Sequence, residues 1–341
     1  MIDDPASPGW NDGDMKTRLF NNTGRAVSEV GLGCWQLGGA DWGNVGDAEA
    51  MEILNTAADS GVTFFDTADV YGNGRSERLI GRFLRERPAG FFVATKLGRT
   101  GDLYPDHYTE KGVRAATEAS LRRLELDAVD LTQLHCVPAA VLREGAIFDW
   151  LRKLKSEGKI HGFGASVESM EEAQICLKEG GVEALQIIFN IFRQKPAEMI
   201  FAEAMGKRVA LIVRLPLASG LLNGQMSKKT VFPDNDHRNY NRDGAQFNVG
   251  ETFAGLPYEK GVELAEALRG YVPEGFSMAQ MAQRWILDHE AVTVIIPGAS
   301  RPEQAHANAA ASNLPPLAGE THAALREFYH KEVAPHIRGP Y

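Results

Sequence analysis

The sequence predicts an α/β fold, a single (β/α)8 TIM barrel with an extended loop after its seventh strand and a C-terminal helix. Three observations carry this expectation. From about residue 26 onward, short β-branched runs alternate with amphipathic stretches of helical length, the pattern of repeated βα units around a parallel sheet. There are eight such runs. No Pro/Gly/Ser-rich linker divides them, and the chain is long enough for one barrel of about 250 residues plus insertions. The organisation expected is therefore an N-terminal extension over residues 1–25 and a barrel domain over 26–341.

The strands expected in order are Val27 to Gly33, Val62 to Asp66, Phe91 to Lys96, Ala128 to His135, Ile160 to Ala165, Ala184 to Phe189, Val209 to Leu215 and Val292 to Pro297. Helical spacing follows them. Asp47 to Ser60 places Met51, Leu54 and Ala57 on one face and stops at Gly61, a residue suited to a left-handed terminus. Thr109 opens a helix to Leu124 as a capping residue, and similar patterns run through Arg143 to Glu157, Ser169 to Glu179 and Pro196 to Lys207. The polar stretch Asn223 to Gly255 has little periodicity. After a seventh barrel strand, such a segment reads as a functional loop at the mouth. Glu320 to Val333 is expected as a helix packed outside the barrel.

Composition narrows the function classes. Hydrophobic residues make up 44% of the chain, enough to bury a globular core, and 36 basic residues against 45 acidic ones give a net charge of −9. That balance speaks against a nucleic-acid partner or an anionic membrane surface, and no apolar run reaches the ~20 residues of a membrane span. Cys34, Cys136 and Cys176 are odd in number and widely spaced, which fits reduced thiols and a cytoplasmic setting. The start, MIDDPASPGW, lacks the cationic and apolar regions of a signal peptide.

In a parallel barrel the chemistry gathers at the C-terminal strand ends. Strand two ends FFDTADVYG, giving Asp66 and Tyr71; strand three ends VATKLG with Lys96; strand four ends LTQLHC with His135. Singly, each has a plain reading as a turn cap, a half-buried ring, a snorkelling amine or a rim histidine. Together they converge on one pocket. A lysine beside a phenol favours phenolate, an aspartate keeps that lysine charged, and a neutral histidine can polarise a carbonyl oxygen. Such a set moves a proton to oxygen but holds no electrons, so a reduction needs a hydride from a cofactor.

The segments GLGCWQLGG, FFDTADVYGNGRSERLIGRFL, VATKLG, LHCVP, GFGASV, LPLASGLLNGQ and IIPGASRPEQ stand in order along nearly the whole chain. In this the sequence resembles the aldo-keto reductase superfamily, and Asn190 to Pro196 (NIFRQKP) with Asp236 to Asn239 resembles its bacterial branch. The resemblance implies that Asp66, Tyr71, Lys96 and His135 are the catalytic tetrad. It implies NADP(H) as cofactor and a small carbonyl or alcohol as substrate, with Trp35, Tyr71 and His135 touching the substrate. Ser166 and Gln186 would hold the nicotinamide carboxamide, although Val167 stands where an asparagine often follows the serine. Arg214 takes the place of a stacking aromatic ring, a role that a guanidinium plane can fill.

By the same resemblance, Leu217, Ser219, Gly220 and Leu221 form the turn that approaches the pyrophosphate, while Gly33, Cys34, Trp35 and Asp66 flank the nicotinamide end. Ser300, expected to cap a helix with Pro302 in its first turn, and Arg301 would form the pocket for the adenosine 2′-phosphate, together with Gly298, Gln304 and Asn308. Gly298 and Ala299 replace the lysine and serine of the commoner pattern, and Gln304 an arginine. Other motifs are missing: no GxGxxG opens a helix after strand one, and His330 and His336, six apart, make no metal pair. Two rival readings remain at this point. One is a barrel lyase using Lys96 as a Schiff-base amine; the other is a nicotinamide-binding regulatory protein with little turnover.

Overall fold

The computed structural model describes residues 15–341 apart from 21–22, 40, 43–44 and 89. Two short strands, β1 (Thr17–Leu19) and β2 (Ala26–Ser28), pair as an antiparallel hairpin. Eight parallel strands follow: β3 (Leu32–Gly33), β4 (Phe64–Asp66), β5 (Phe92–Leu97), β6 (Val129–His135), β7 (Ile160–Ser166), β8 (Val182–Ile188), β9 (Ala210–Arg214) and β10 (Val292–Ile295). They pair in sequence order, and parallel bridges from Val30 to Ile295 and Gly33 to Gly298 join the last strand to the first. This is the expected (β/α)8 barrel. Its closure depends on Gly33, because a Cβ there would stand 2.7 Å from the Ile296 carbonyl oxygen.

The expected first strand is corrected. Val27 to Gly33 divides into β2, which belongs to the hairpin, and β3, which is only two residues long. The hairpin has a place of its own: Phe20 and Val27 enter the barrel interior beside Phe64, Phe92, Leu131, Ile212 and Val294, and so stopper its N-terminal end. It crosses the boundary expected at residue 26. The rest of the expected extension, residues 1–14 with the acidic MIDDPASPGW start, lies outside the described residues.

Most helices form where the spacing places them. Thr109 accepts a hydrogen bond from the Gly112 amide and caps Glu110–Leu124, while Ser169 and Glu172 make a reciprocal capping box on Met170–Lys178. Two expected helices are each broken. Arg143 to Glu157 splits into Ala139–Glu144 and Ala146–Ser156 because Gly145, at φ +79°, turns the chain in a left-handed conformation. Pro196 to Lys207 splits at Ile200, whose φ of −128° is not helical. Among the described residues, no helix is long and apolar enough to cross a membrane.

After β9 the chain runs through residues 223–255 as turns and short helices, including His237–Tyr240 and the 3-10 turn Val249–Glu251. Although aperiodic, the segment is well packed. The Asn241 amide oxygen accepts from the Gln246 and Phe247 amides, and its side-chain nitrogen donates to Thr252. The C-terminal helix Gly319–Phe328 continues through a wider turn, Tyr329–Val333, close to the expected span.

Candidate active site

Four rim residues come together as their strand positions require. Asp66 ends β4, Lys96 lies in β5 and His135 ends β6, while Tyr71 is carried by the turns after β4. Lys96 is fully buried. Its ammonium donates to Asp66, to the Thr67 carbonyl at 2.8 Å and to the Tyr71 hydroxyl at 3.2 Å, so its three donors are all used. Asp66 is fixed further by the side-chain amides of Gln133 at 3.0 Å and Gln186 at 2.7 Å.

The electrostatics assign states to these groups. Burial alone disfavours the charged lysine, but Asp66 and Tyr71 outweigh it and raise the Lys96 pKa above its ordinary value. An aldolase-type Schiff base needs a neutral, reachable amine, and this one is charged and enclosed. For Tyr71 the sequence expectation of a lowered pKa is corrected. Burial raises the phenol more than Lys96 lowers it, and the net displacement is upward. Tyr71 is therefore a protonated phenol held by a cation, a donor ready for an oxygen that gains charge. His135 is pushed well below its usual range, first by burial and then by Arg99, Lys96 and Arg214. It is a neutral imidazole, and its buried Nδ1 has no partner among the described residues.

These groups open into a cavity of about 1280 Å³, larger than the ~300–1,000 Å³ of ordinary small-molecule sites. Gly33, Cys34, Trp35, Asp66, Tyr71, His135, Ser166, Gln186, Arg214, Leu217, Ser219, Gly220, Gly298, Ser300, Arg301, Gln304 and Asn308 all line it, as the resemblance implies. Leu221 does not: its side chain is fully buried in the hydrophobic core. The turn after β9 bends sharply, with Leu215, Ala218, Ser219 and Gly220 all at positive φ. Ser300 does not cap the helix that follows β10. The N-cap of Pro302–Ala309 is Arg301, because the Gln304 side chain folds back and takes the Ser300 amide and hydroxyl as donors at 2.8 and 3.0 Å.

Sequence reasoning missed Arg99, Glu168 and Glu251, which also line the cavity. Arg99 and Glu168 each stand within three residues of a strand-end candidate, Lys96 and Ser166, a spacing that could have flagged them. Glu251 carried no such signal. Arg214 is also better engaged than expected, paired with Glu251 at 3.4 Å.

A donor phenol and a neutral imidazole at a barrel mouth, with a long cleft leading away from them to a helix N-terminus, define the class: a barrel oxidoreductase that borrows its electrons from a bound cofactor. Within that class the chain belongs to the aldo/keto reductase family, whose model matches residues 29–330. It is 29% identical over 299 residues to the aldo-keto reductase YhdN of Bacillus subtilis, covering 86% of this chain and 87% of that one. Among solved structures, the glycerol dehydrogenase of Gluconobacter oxydans is 28% identical and superimposes with a TM-score of 0.74 over 95% of this chain and 97% of its own. An aldo-keto reductase from Klebsiella pneumoniae in complex with NADPH, 24% identical, shares the fold at a TM-score of 0.68 over 92% and 95% of the two chains.

Nicotinamide dinucleotides serve this family, NADP(H) among them. The residues present fit it. The cavity has room for a dinucleotide beside a substrate, and two of the residues lining it, Arg214 by the tetrad and Gln283 further along, each keep a buried polar atom without a hydrogen-bond partner.

Proposed function

We propose that the protein reversibly reduces aldehyde or ketone carbonyls to alcohols with NADPH, with Tyr71 as the general acid. Bound NADPH supplies the hydride to the carbonyl carbon. The chain's own part is to place and charge the oxygen. His135, a neutral imidazole lining the cavity, directs the carbonyl by a hydrogen bond. Tyr71 gives its proton to the developing alkoxide, and Lys96 stabilises the phenolate left behind. In the reverse direction the phenolate takes the alcohol proton. Ser166 at the end of β7 and Gln186 within β8, joined at 3.4 Å, would hold the carboxamide, and Arg301 the 2′-phosphate.

One observation carries this reading: the Tyr71 hydroxyl 3.2 Å from a lysine that is itself locked to a buried aspartate. The rival reading, a nicotinamide-binding regulatory protein with little turnover, is disfavoured by that intact proton path. The three cysteines are buried and unbridged, which supports the cytoplasmic setting. A panel of aldehydes, ketones and sugars, followed by loss of NADPH absorbance, tests the proposal. Oxidation of NADPH with alcohol formed in equal amount is expected; no turnover of any reactive aldehyde overturns it.

A further inference from the structure

Arg99, Glu168, Arg214 and Glu251 line the cavity with Tyr71 and His135, and the proton transfer uses none of them. Two guanidiniums face two carboxyl groups, so the cluster is matched from within and asks for no further ion. Glu251 Oε1 accepts from Arg99 Nη1 at 3.3 Å and lies 3.4 Å from Arg214 Nη1, while Glu168 Oε1 stands 3.8 Å from Arg99 Nη2. Burial raises the Glu251 carboxyl, but Arg214 and Arg99 outweigh it and hold its pKa below the usual range. What such a cluster provides is orientation.

Arg214 is the member whose orientation matters. Ile212 enters the barrel interior, and Arg214, two residues further along β9, lies on the same strand face and enters the mouth. Gln186 pairs with Ile212 across β8 and β9, and Arg214 Nη2 donates at 3.2 Å to the carbonyl of Val167, the neighbour of Ser166. A nicotinamide whose carboxamide is held by Ser166 and Gln186 therefore lies next to this guanidinium. The N–H bonds of a guanidinium lie in its plane, so partners on both Nη atoms set that plane and leave its face open to an aromatic ring. Val167 supplies one partner and Glu251 the other.

Glu251 is held at its backbone as well. The Ser219 hydroxyl donates to the Glu251 carbonyl at 3.2 Å and accepts from the Phe253 amide at 3.1 Å, which fastens the segment after β9 onto the turn at that strand's end. One residue thus joins this turn, the chain after β5 through Arg99, and the end of β9 through Arg214.

We propose that Glu251 is a positioning residue for the cofactor: it fixes the Arg214 guanidinium as a platform for the nicotinamide ring, and so couples the packing of the segment after β9 to the seating of that ring. The inference rests on the reading above that a nicotinamide dinucleotide brings the hydride.

The test measures dissociation constants by calorimetry for NADPH, NADH and 2′-phospho-ADP-ribose, which keeps the adenosine and the phosphates but has no nicotinamide. Glu251→Ala is expected to weaken NADPH and NADH alike, by about 10-fold, and to leave 2′-phospho-ADP-ribose unchanged. Glu251→Gln, which keeps an acceptor oxygen without the charge, recovers part of the loss. Arg214→Leu reproduces it, and the double variant is no weaker than Arg214→Leu alone, because both changes act through one plane. Unchanged NADPH affinity in Glu251→Ala overturns the positioning role, and so does an equal loss for all three ligands, which would mean that Glu251 only holds the cleft together. Should Glu251→Ala not fold, Glu251→Gln carries the same comparison, and wild-type affinities there overturn the role. The underlying reading fails separately: it is overturned by a wild-type protein that binds neither NADPH nor NADH.

Discussion

The two ends of the barrel both bury charge, and they treat it differently. At the N-terminal end Glu29 is bonded by Arg18 at 2.7 Å and Ser312 Oγ at 2.9 Å, with Arg284 at 3.6 Å. Asp288 is met there by Arg284, His322 and the Leu317 amide, at 2.9 to 3.0 Å. Each acidic group has a partner of opposite charge. At the C-terminal mouth three polar atoms, His135 Nδ1, Arg214 Nε and Glu168 Oε1, are buried without a hydrogen bond, against one, Arg284 Nη1, in the network at the other end. A closed network ties elements together, whereas polar atoms left open at a cavity await a ligand. The contrast assigns stability to one end and chemistry to the other, as expected of a parallel barrel.

The largest effect that sharpens this contrast comes from the open end. Tyr71→Phe keeps the ring and removes the proton, so kcat should fall about 10²–10⁴-fold while the denaturation midpoint barely moves. Lys96→Met acts through the same hydroxyl, and the double variant should be far less impaired than the product of the two single effects. Wild-type turnover by Tyr71→Phe, with a deuterium isotope effect showing that hydride transfer limits the rate, removes Tyr71 from the mechanism. At the closed end the expectation is reversed. Glu29→Ala leaves Arg284 and Arg18 short of a buried partner and should cost about 3–5 kcal/mol in urea denaturation, with kcat per folded molecule unchanged. A loss of kcat without loss of stability would break the division between the ends.

The same two ends differ in how much of them the sequence displays. At the mouth Asp66, Lys96 and His135 are polar residues at the ends of apolar runs, so FFD, VATK and LTQLH could be read directly, while Tyr71 follows in the turns after Asp66. The hairpin at the other end could not. Thr17–Leu19 is three residues long and largely exposed, and its worth lies in Arg18, which reaches the Leu287, His289 and Val292 carbonyls about 270 residues away. Glu251 was hidden for a related reason. It sits in a segment without periodicity, and only packing against Arg99 and Arg214 gives its carboxylate a meaning. At Ser300 the expected cap is replaced locally: its amide and hydroxyl both donate to the Gln304 side chain, and Arg301 takes the N-cap position.

Between the two ends in size stands a pH effect on the segment over the mouth. His237 packs against Trp35 and Trp42, with Asp236, Arg238, Glu251 and the Asp41 carbonyl around it, and burial above all lowers its pKa to about 4. The folded state resists the proton, while the unfolded state takes it near pH 6.5. Stability due to this group is therefore full above pH 6.5 and declines as pH falls toward 4, by up to about 3 kcal/mol. Hydrogen exchange of residues 237–253 should speed up between pH 7 and pH 5 beyond the intrinsic rate change, and His237→Phe should remove the difference. Equal protection at both pH values would place the segment among the rigid parts of the fold.

The smallest expected effect concerns the far end of the cavity, where the residues from 297 to 310 that line it include one cation, Arg301. It is exposed and stands at the N-cap of an eight-residue helix, so its contribution to a 2′-phosphate is a charge-assisted bond in water, aided by the helix dipole. That sets the scale at the low end of such bonds, about 10-fold in the NADPH dissociation constant, with no change expected for NADH. Arg301→Ala measured by calorimetry or fluorescence titration with both cofactors checks it. Gln304 offers the complementary change. Its side chain is spent on Ser300, so Gln304→Arg frees the serine hydroxyl and adds a second cation, and should tighten NADPH while leaving NADH alone. Equal dissociation constants for the two cofactors in the wild type would mean that this helix end does not read the 2′-phosphate, and the cofactor preference would have to be sought elsewhere along the cleft.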